Sequence, residues 1–269
     1  MSGTVDAFPK LVAHVERAPQ PLVRENRMVF AVASTMTIYV FWVVLTWLLE
    51  GRTELLLRYD PPARAAYALL TNVSVGTIVA IATARMLGLS TRGRRHPTGR
   101  TFEAAIATVV LVAIVAVRVG DALVFTNACA QVLPTSIAEI AVCWMLVGGV
   151  AKRLARPFGR TWSLIAALAV SDVAFAAYHV AHSPPYNELG MMLFLLLPGL
   201  VIGALVFWFR SATLAVSAQT AFAILGMAQK TDPRMMMHPY VWAYAIAAAS
   251  VLAFALTRRL PKGFAAPWV

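Results

Sequence analysis

The chain has 269 residues, 60% of them hydrophobic and only 13% charged, with a mean hydropathy of +0.72. Soluble domains carry about 45–50% apolar residues, so this composition excludes an ordinary soluble class and indicates a polytopic membrane protein. The formal net charge of +11 comes from basic residues placed between apolar runs, which reports membrane topology and argues against nucleic-acid binding.

In chain order, residues 1–27 are polar and contain Pro9, Pro19 and Pro21. They read as a cytoplasmic tail without a cleaved signal peptide. The stretch 5–16 has amphipathic character but is interrupted by Pro9, and a solvated tail is expected. Ser2 stands where myristoylation needs glycine, and there is no cysteine near the C-terminus, so no lipid anchor is expected.

A spanning helix needs about 20 mostly apolar residues, because unpaired backbone is too costly in hydrocarbon. Eight runs approach that length: 28–49, 65–89, 102–119, 132–151, 161–182, 189–209, 212–227 and 239–257. Asn72, Ser74 and Thr77 dilute the second, and Thr213, Ser217, Gln219 and Thr220 the seventh; such spans are expected to face protein. The expected fold is an all-α polytopic membrane protein, a bundle of about eight transmembrane helices over 28–257, with a C-terminal tail at 258–269.

With both termini cytoplasmic, 17 of the 23 Lys and Arg residues lie on the cytoplasmic side. The exceptions are Arg52, Arg58, Arg64, Arg118, Lys230 and Arg234. This asymmetry supports eight spans and that orientation, whereas seven spans would put later basic clusters on the wrong side. Gly199 and Gly203 stand at GxxxG spacing in the sixth span, which predicts close helix packing. Cys129 and Cys143 form neither a CxxC pair nor an extracellular disulfide framework, so no redox or structural-metal role follows from them. Abundant Ala, Arg and Val and the lack of a targeting peptide fit a bacterial plasma (inner) membrane.

Ionisable residues at membrane depth are costly and mark function or an internal pair. Four stand out: Glu139 in the fourth span and Asp172, His179 and His182 in the fifth. At about 100° per residue, Asp172 and His179 lie on one helix face, with Phe175 on the same side. His182 adjoins Ser183-Pro184-Pro185 and reads as interfacial. Glu139, close after Pro134 and Ser136, reads equally as a first-turn carboxylate favoured by the helix dipole and as a general base or metal ligand.

The order of these residues, with 175-FAAYH-179 matching an FxxxH pattern, resembles the CPBP family of intramembrane proteases. That family includes CAAX prenyl endopeptidases and bacterial abortive-infection proteins. Its signatures are EExxxR on the fourth helix, FxxxH on the fifth and HxxxN on the seventh, in an eight-helix bundle. The resemblance spans 132–225. In the fourth span Ala138, Glu139 and Cys143 take the places of Glu, Glu and Arg, and in the seventh Gln219 and Ala223 take those of His and Asn.

The resemblance implies peptide hydrolysis by a water activated with or without zinc, Glu139 and His179 being the catalytic or metal-binding residues. Asp172, Phe175 and Gln219 would support the pocket. The departures imply the opposite outcome, a scaffold that has lost the usual reaction. A catalytic zinc needs about three protein ligands and glutamine is a poor one, while losing the oxyanion donor costs about 100- to 1000-fold. Three readings follow. The first is a binding or accessory membrane subunit, the second an active CPBP-type metalloendopeptidase with an altered site. The third is a cofactor-binding subunit with His179, His182 or His238 as axial ligand to a haem or pigment. Expected partners are the lipid bilayer and a membrane peptide or protein.

Overall fold

The computed structural model describes residues 21–51, 61–89, 98–230 and 241–260. The stretch 5–16, Arg92, Arg94, Arg95 and His238 lie outside these. Every regular element among the described residues is helical. Six helices are long and apolar enough to cross a membrane: α1 (Asn26–Gly51), α2 (Pro61–Met86), α3 (Gly99–Val119), α4 (Ala122–Leu154), α5 (Arg160–Ala181) and α6 (Leu189–Phe207). Two shorter apolar helices follow, α7 (Ala212–Lys230) and α8 (Val241–Thr257).

Helix α4 forms the axis of the bundle. Of its most apolar window 83% is buried, against 17% for α1 and α3 and 22% for α6. Ala138, Ile140, Ala141, Val142, Cys143 and Trp144 are wholly inaccessible; α1, α2, α5, α6 and α7 pack around this segment, and α8 packs against the earlier part of α4. The outer helices expose Val109, Val117, Leu197 and similar side chains, an apolar surface that suits hydrocarbon contact. The polar-diluted segments face inward in part: Thr71, Asn72 and Thr77 of α2 are fully buried, as nearly are Gln219 and Thr220 of α7.

The structure corrects the start of α4. The hydropathy pattern begins at residue 132, but the helix begins at Ala122, immediately after a tight turn. Gly120 caps α3 in the left-handed conformation at φ 75°, where a side chain would be strained. Asp121 then accepts from the N–H groups of Leu123 and Val124 at 2.8 and 2.9 Å, satisfying the first free donors of α4. Asn127 is buried inside protein and receives a hydrogen bond from Tyr244 of α8. Pro134 is accommodated within the helix, as membrane helices allow where neighbours satisfy the freed backbone. Glu139 is therefore a mid-helix residue, 4% exposed, and its first-turn reading fails.

Two stretches, Tyr67–Val79 in α2 and Ile140–Gly148 in α4, wind more widely, as π-helix. Side-chain faces projected at about 100° per residue drift across such stretches. Close packing relies on glycine at the α5–α6 contact. A Cβ on Gly199 would lie 1.8 Å from Asp172 Oδ1, and one on Gly203 2.6 Å from Leu168 Cδ2. The GxxxG pair thus brings α6 against α5. Hydrogen bonds tie the other helices: Tyr39 of α1 donates to the Ala174 carbonyl of α5 at 2.7 Å, and Asn72 of α2 to Thr135 of α4 at 3.0 Å.

Candidate functional site

Glu139 from α4, His179 from the end of α5 and Gln219 from α7 meet inside the bundle, although 80 residues separate the first and last. All three are buried, at 4%, 7% and 4% exposure. Gln219 Nε2 donates to Glu139 Oε2 at 2.6 Å. The other carboxylate oxygen, Oε1, stands 3.9 Å from His179 Nε2, too far for a direct hydrogen bond. A water about 2.8 Å from each atom, subtending about 90°, would bridge them.

The tautomer of His179 follows from its other nitrogen. Nδ1 lies 2.8 Å from the Phe175 carbonyl, one turn back; a carbonyl only accepts, so Nδ1 carries a hydrogen and Nε2 is the ring atom that faces Glu139. Phe175 serves twice, since its ring also meets His179 edge-on at 4.8 Å and packs against Trp144 at 4.9 Å. It is 1% exposed.

Asp172 stands apart from this group. Its side chain packs on Gly199 of α6, and Oδ1 has no hydrogen-bond partner. The α-helix ends at Tyr178 and His179 opens a short 3₁₀ turn, so the α-helical spacing that aligns residues 172 and 179 stops at the histidine itself. Cys143 is fully buried in the apolar core. His238 lies outside the described residues.

Sequence reading missed Glu50. It lies one position beyond the first apolar run, 28–49, yet it is 8% exposed. Gly51 makes this possible: a Cβ there would lie 1.9 Å from the Ala181 carbonyl oxygen, so the end of α1 abuts the end of α5. Glu50 Oε2 lies 2.8 Å from His182 Nδ1, and the carboxylate also accepts from the N–H and Oγ of Ser183 at 3.2 and 3.1 Å. His182, read as interfacial, does sit past the helix end but turns inward, with 11% of its side chain exposed. Its ring stacks on that of His179 at 5.1 Å and meets Tyr178 edge-on at 4.7 Å. Tyr178 in turn stacks on Trp42 at 3.9 Å and shares a 2.8 Å hydroxyl contact with Tyr67. The polar interior is one continuous array from Ser183 and Glu50, through the two histidines, to Glu139 and Gln219.

Zinc does not fit this array. The Gln219 NH₂ group points at the carboxylate and offers no lone pair, leaving Glu139 and His179 as two donors where a catalytic zinc takes three. Among the described residues no three His, Cys, Asp or Glu side chains come together as a metal-binding group.

Comparison with protein-family models, with curated proteins and with solved structures finds no match to this chain.

Proposed function

We propose that the protein is a diverged CPBP-like integral membrane protein, an eight-span bundle with both termini cytoplasmic, that acts as a binding or accessory membrane subunit without peptide hydrolysis. The observation that carries this reading is the 2.6 Å bond from Gln219 Nε2 to Glu139 Oε2. A residue that accepts protons or binds metal needs free lone pairs, and here a neutral donor from a third helix occupies one oxygen of the carboxylate that stands beside His179 Nε2. Ala223 supplies no polar atom for an oxyanion.

The second reading, an active hydrolase using Glu139 and His179, is favoured by the 3.9 Å gap between them, which accommodates a bridging water. One experiment separates the two. The detergent-purified protein is incubated with prenylated and short membrane peptides, products are followed by mass spectrometry, and zinc per chain is measured. No cleavage and far less than one zinc per chain are expected, with zinc uptake rising in Gln219→His. Cleavage that disappears in both Glu139→Ala and His179→Ala overturns the proposal.

A further inference from the structure

At one end of the bundle four cations from separate elements converge. Lys152 ends α4, Arg156 lies in the following turn, Arg160 opens α5, and Arg210 lies in the α6–α7 turn. The start of α5 is tied to the end of α4 by the bond from Ser163 Oγ to the Lys152 carbonyl at 2.7 Å, and the Lys152 ammonium reaches Phe207, three residues before Arg210, although 58 residues separate Lys152 from Arg210 in sequence. No carboxylate among the described residues pairs with any of the four. Neighbouring Arg153 is used differently, bonded to the Leu87 carbonyl at the end of α2. Lys152 Nζ is held over the Phe207 ring at 5.4 Å, and the three arginines are exposed.

The backbone at Arg210 provides an independent observation. It takes φ 55°, the only positive φ at a non-glycine among the described residues, while the chain leaves α6 through a bond from Ser211 N–H to the Leu205 carbonyl at 2.9 Å. Glycine is the residue that this left-handed exit favours. An arginine held in a strained conformation at an exposed turn points to use of its side chain. Around the cluster Phe158, Trp162 and Trp208 are 74%, 63% and 60% exposed. Aromatic rings of this kind anchor helices at the level of lipid headgroups.

We infer that Lys152, Arg156, Arg160 and Arg210 form a binding site for the phosphodiester headgroup of an anionic phospholipid, with Trp162 and Trp208 bordering its glycerol and upper acyl region. The chemistry is that of a phosphate met by several unpaired cations, of which the guanidinium groups bind in bidentate fashion. The flanking rings and the exposed apolar side chains Ile165 and Val201 on α5 and α6 select a lipid over a soluble phosphate. General retention of positive charge on one side of a membrane requires neither this convergence nor the strained turn.

The full chain is reconstituted in nanodiscs or detergent with phosphatidylglycerol or phosphatidylcholine, and retained lipid is counted by native mass spectrometry. Phosphatidylglycerol is expected to be retained at least tenfold over phosphatidylcholine, with the preference lost in K152Q/R156Q/R160Q/R210Q. Arg118→Gln, at the opposite end of the bundle, should leave the preference intact. Arg210→Gly relieves the strained turn, so it should reduce lipid retention severalfold without lowering the thermal midpoint. Equal retention of the two lipids, equal loss in Arg118→Gln, or displacement of the lipid by soluble glycerol phosphate overturns the assignment.

Discussion

Replacing Gln219 by leucine tests whether the interior array is a set of mutually dependent polar groups. The substitution keeps roughly the volume and removes the 2.6 Å donor to Glu139 Oε2. Interhelical hydrogen bonds within membranes contribute about 0.6 kcal/mol on average and up to about 1.7. To this is added the cost of stranding a buried acceptor, about 1–3 kcal/mol. The single variant should therefore lose about 2–4 kcal/mol, equivalent to about 4–16 °C in the thermal midpoint for a domain of this size. Glu139→Leu should cost a similar amount, because it strands the amide of Gln219 instead. The double variant removes donor and acceptor together and fills the space with apolar atoms, so it should recover most of the wild-type stability. Unfolding in mixed micelles, followed by tryptophan fluorescence, measures all four proteins of the cycle. A double variant destabilised by the sum of the two singles would refute the reasoning, since it would mean that neither side chain depends on the other.

Two further outcomes follow from the packing and from the second polar cluster. Gly199→Ala puts a Cβ 1.8 Å from Asp172 Oδ1 and should cost about 1–3 kcal/mol by overpacking; adding Asp172→Ala should restore most of that in the same unfolding assay. An unaffected Gly199→Ala protein would show that α5 and α6 do not approach so closely. Glu50→Ala removes the acceptor for Ser183 N–H, Ser183 Oγ and His182 and should cost at least about 2 kcal/mol, while speeding modification of His182 by diethyl pyrocarbonate. Glu50→Gln retains an acceptor oxygen and should lose less, so equal effects of the two substitutions would sink this account.

Hydropathy located the long apolar helices among the described residues, because an apolar run of sufficient length has few alternatives in lipid. It misplaced the beginning of α4, where Asn127 and Gln131 lower the hydropathy of residues that are nonetheless helical. Their acceptability depends on neighbours from other helices, a property no local window contains. The polar residues behave in the same way. Glu139 and His179 could be singled out because an ionisable group in hydrocarbon is conspicuous wherever it points. Glu50 could not, since only the approach of Gly51 to Ala181 draws the end of α1 inward.

By itself, then, the sequence determined the helical class, the approximate extents of the long apolar helices and the small set of titratable residues within them. These follow from free energies of transfer that act residue by residue. Tertiary structure decided which of those residues meet. It joined Glu139 to Gln219, turned Asp172 toward Gly199, and linked His182 to Glu50 across 132 positions of chain. Those pairings depend on the rotation and close approach of separate helices, which are set by small residues and by the wide winding of α2 and α4 rather than by the composition of any one span.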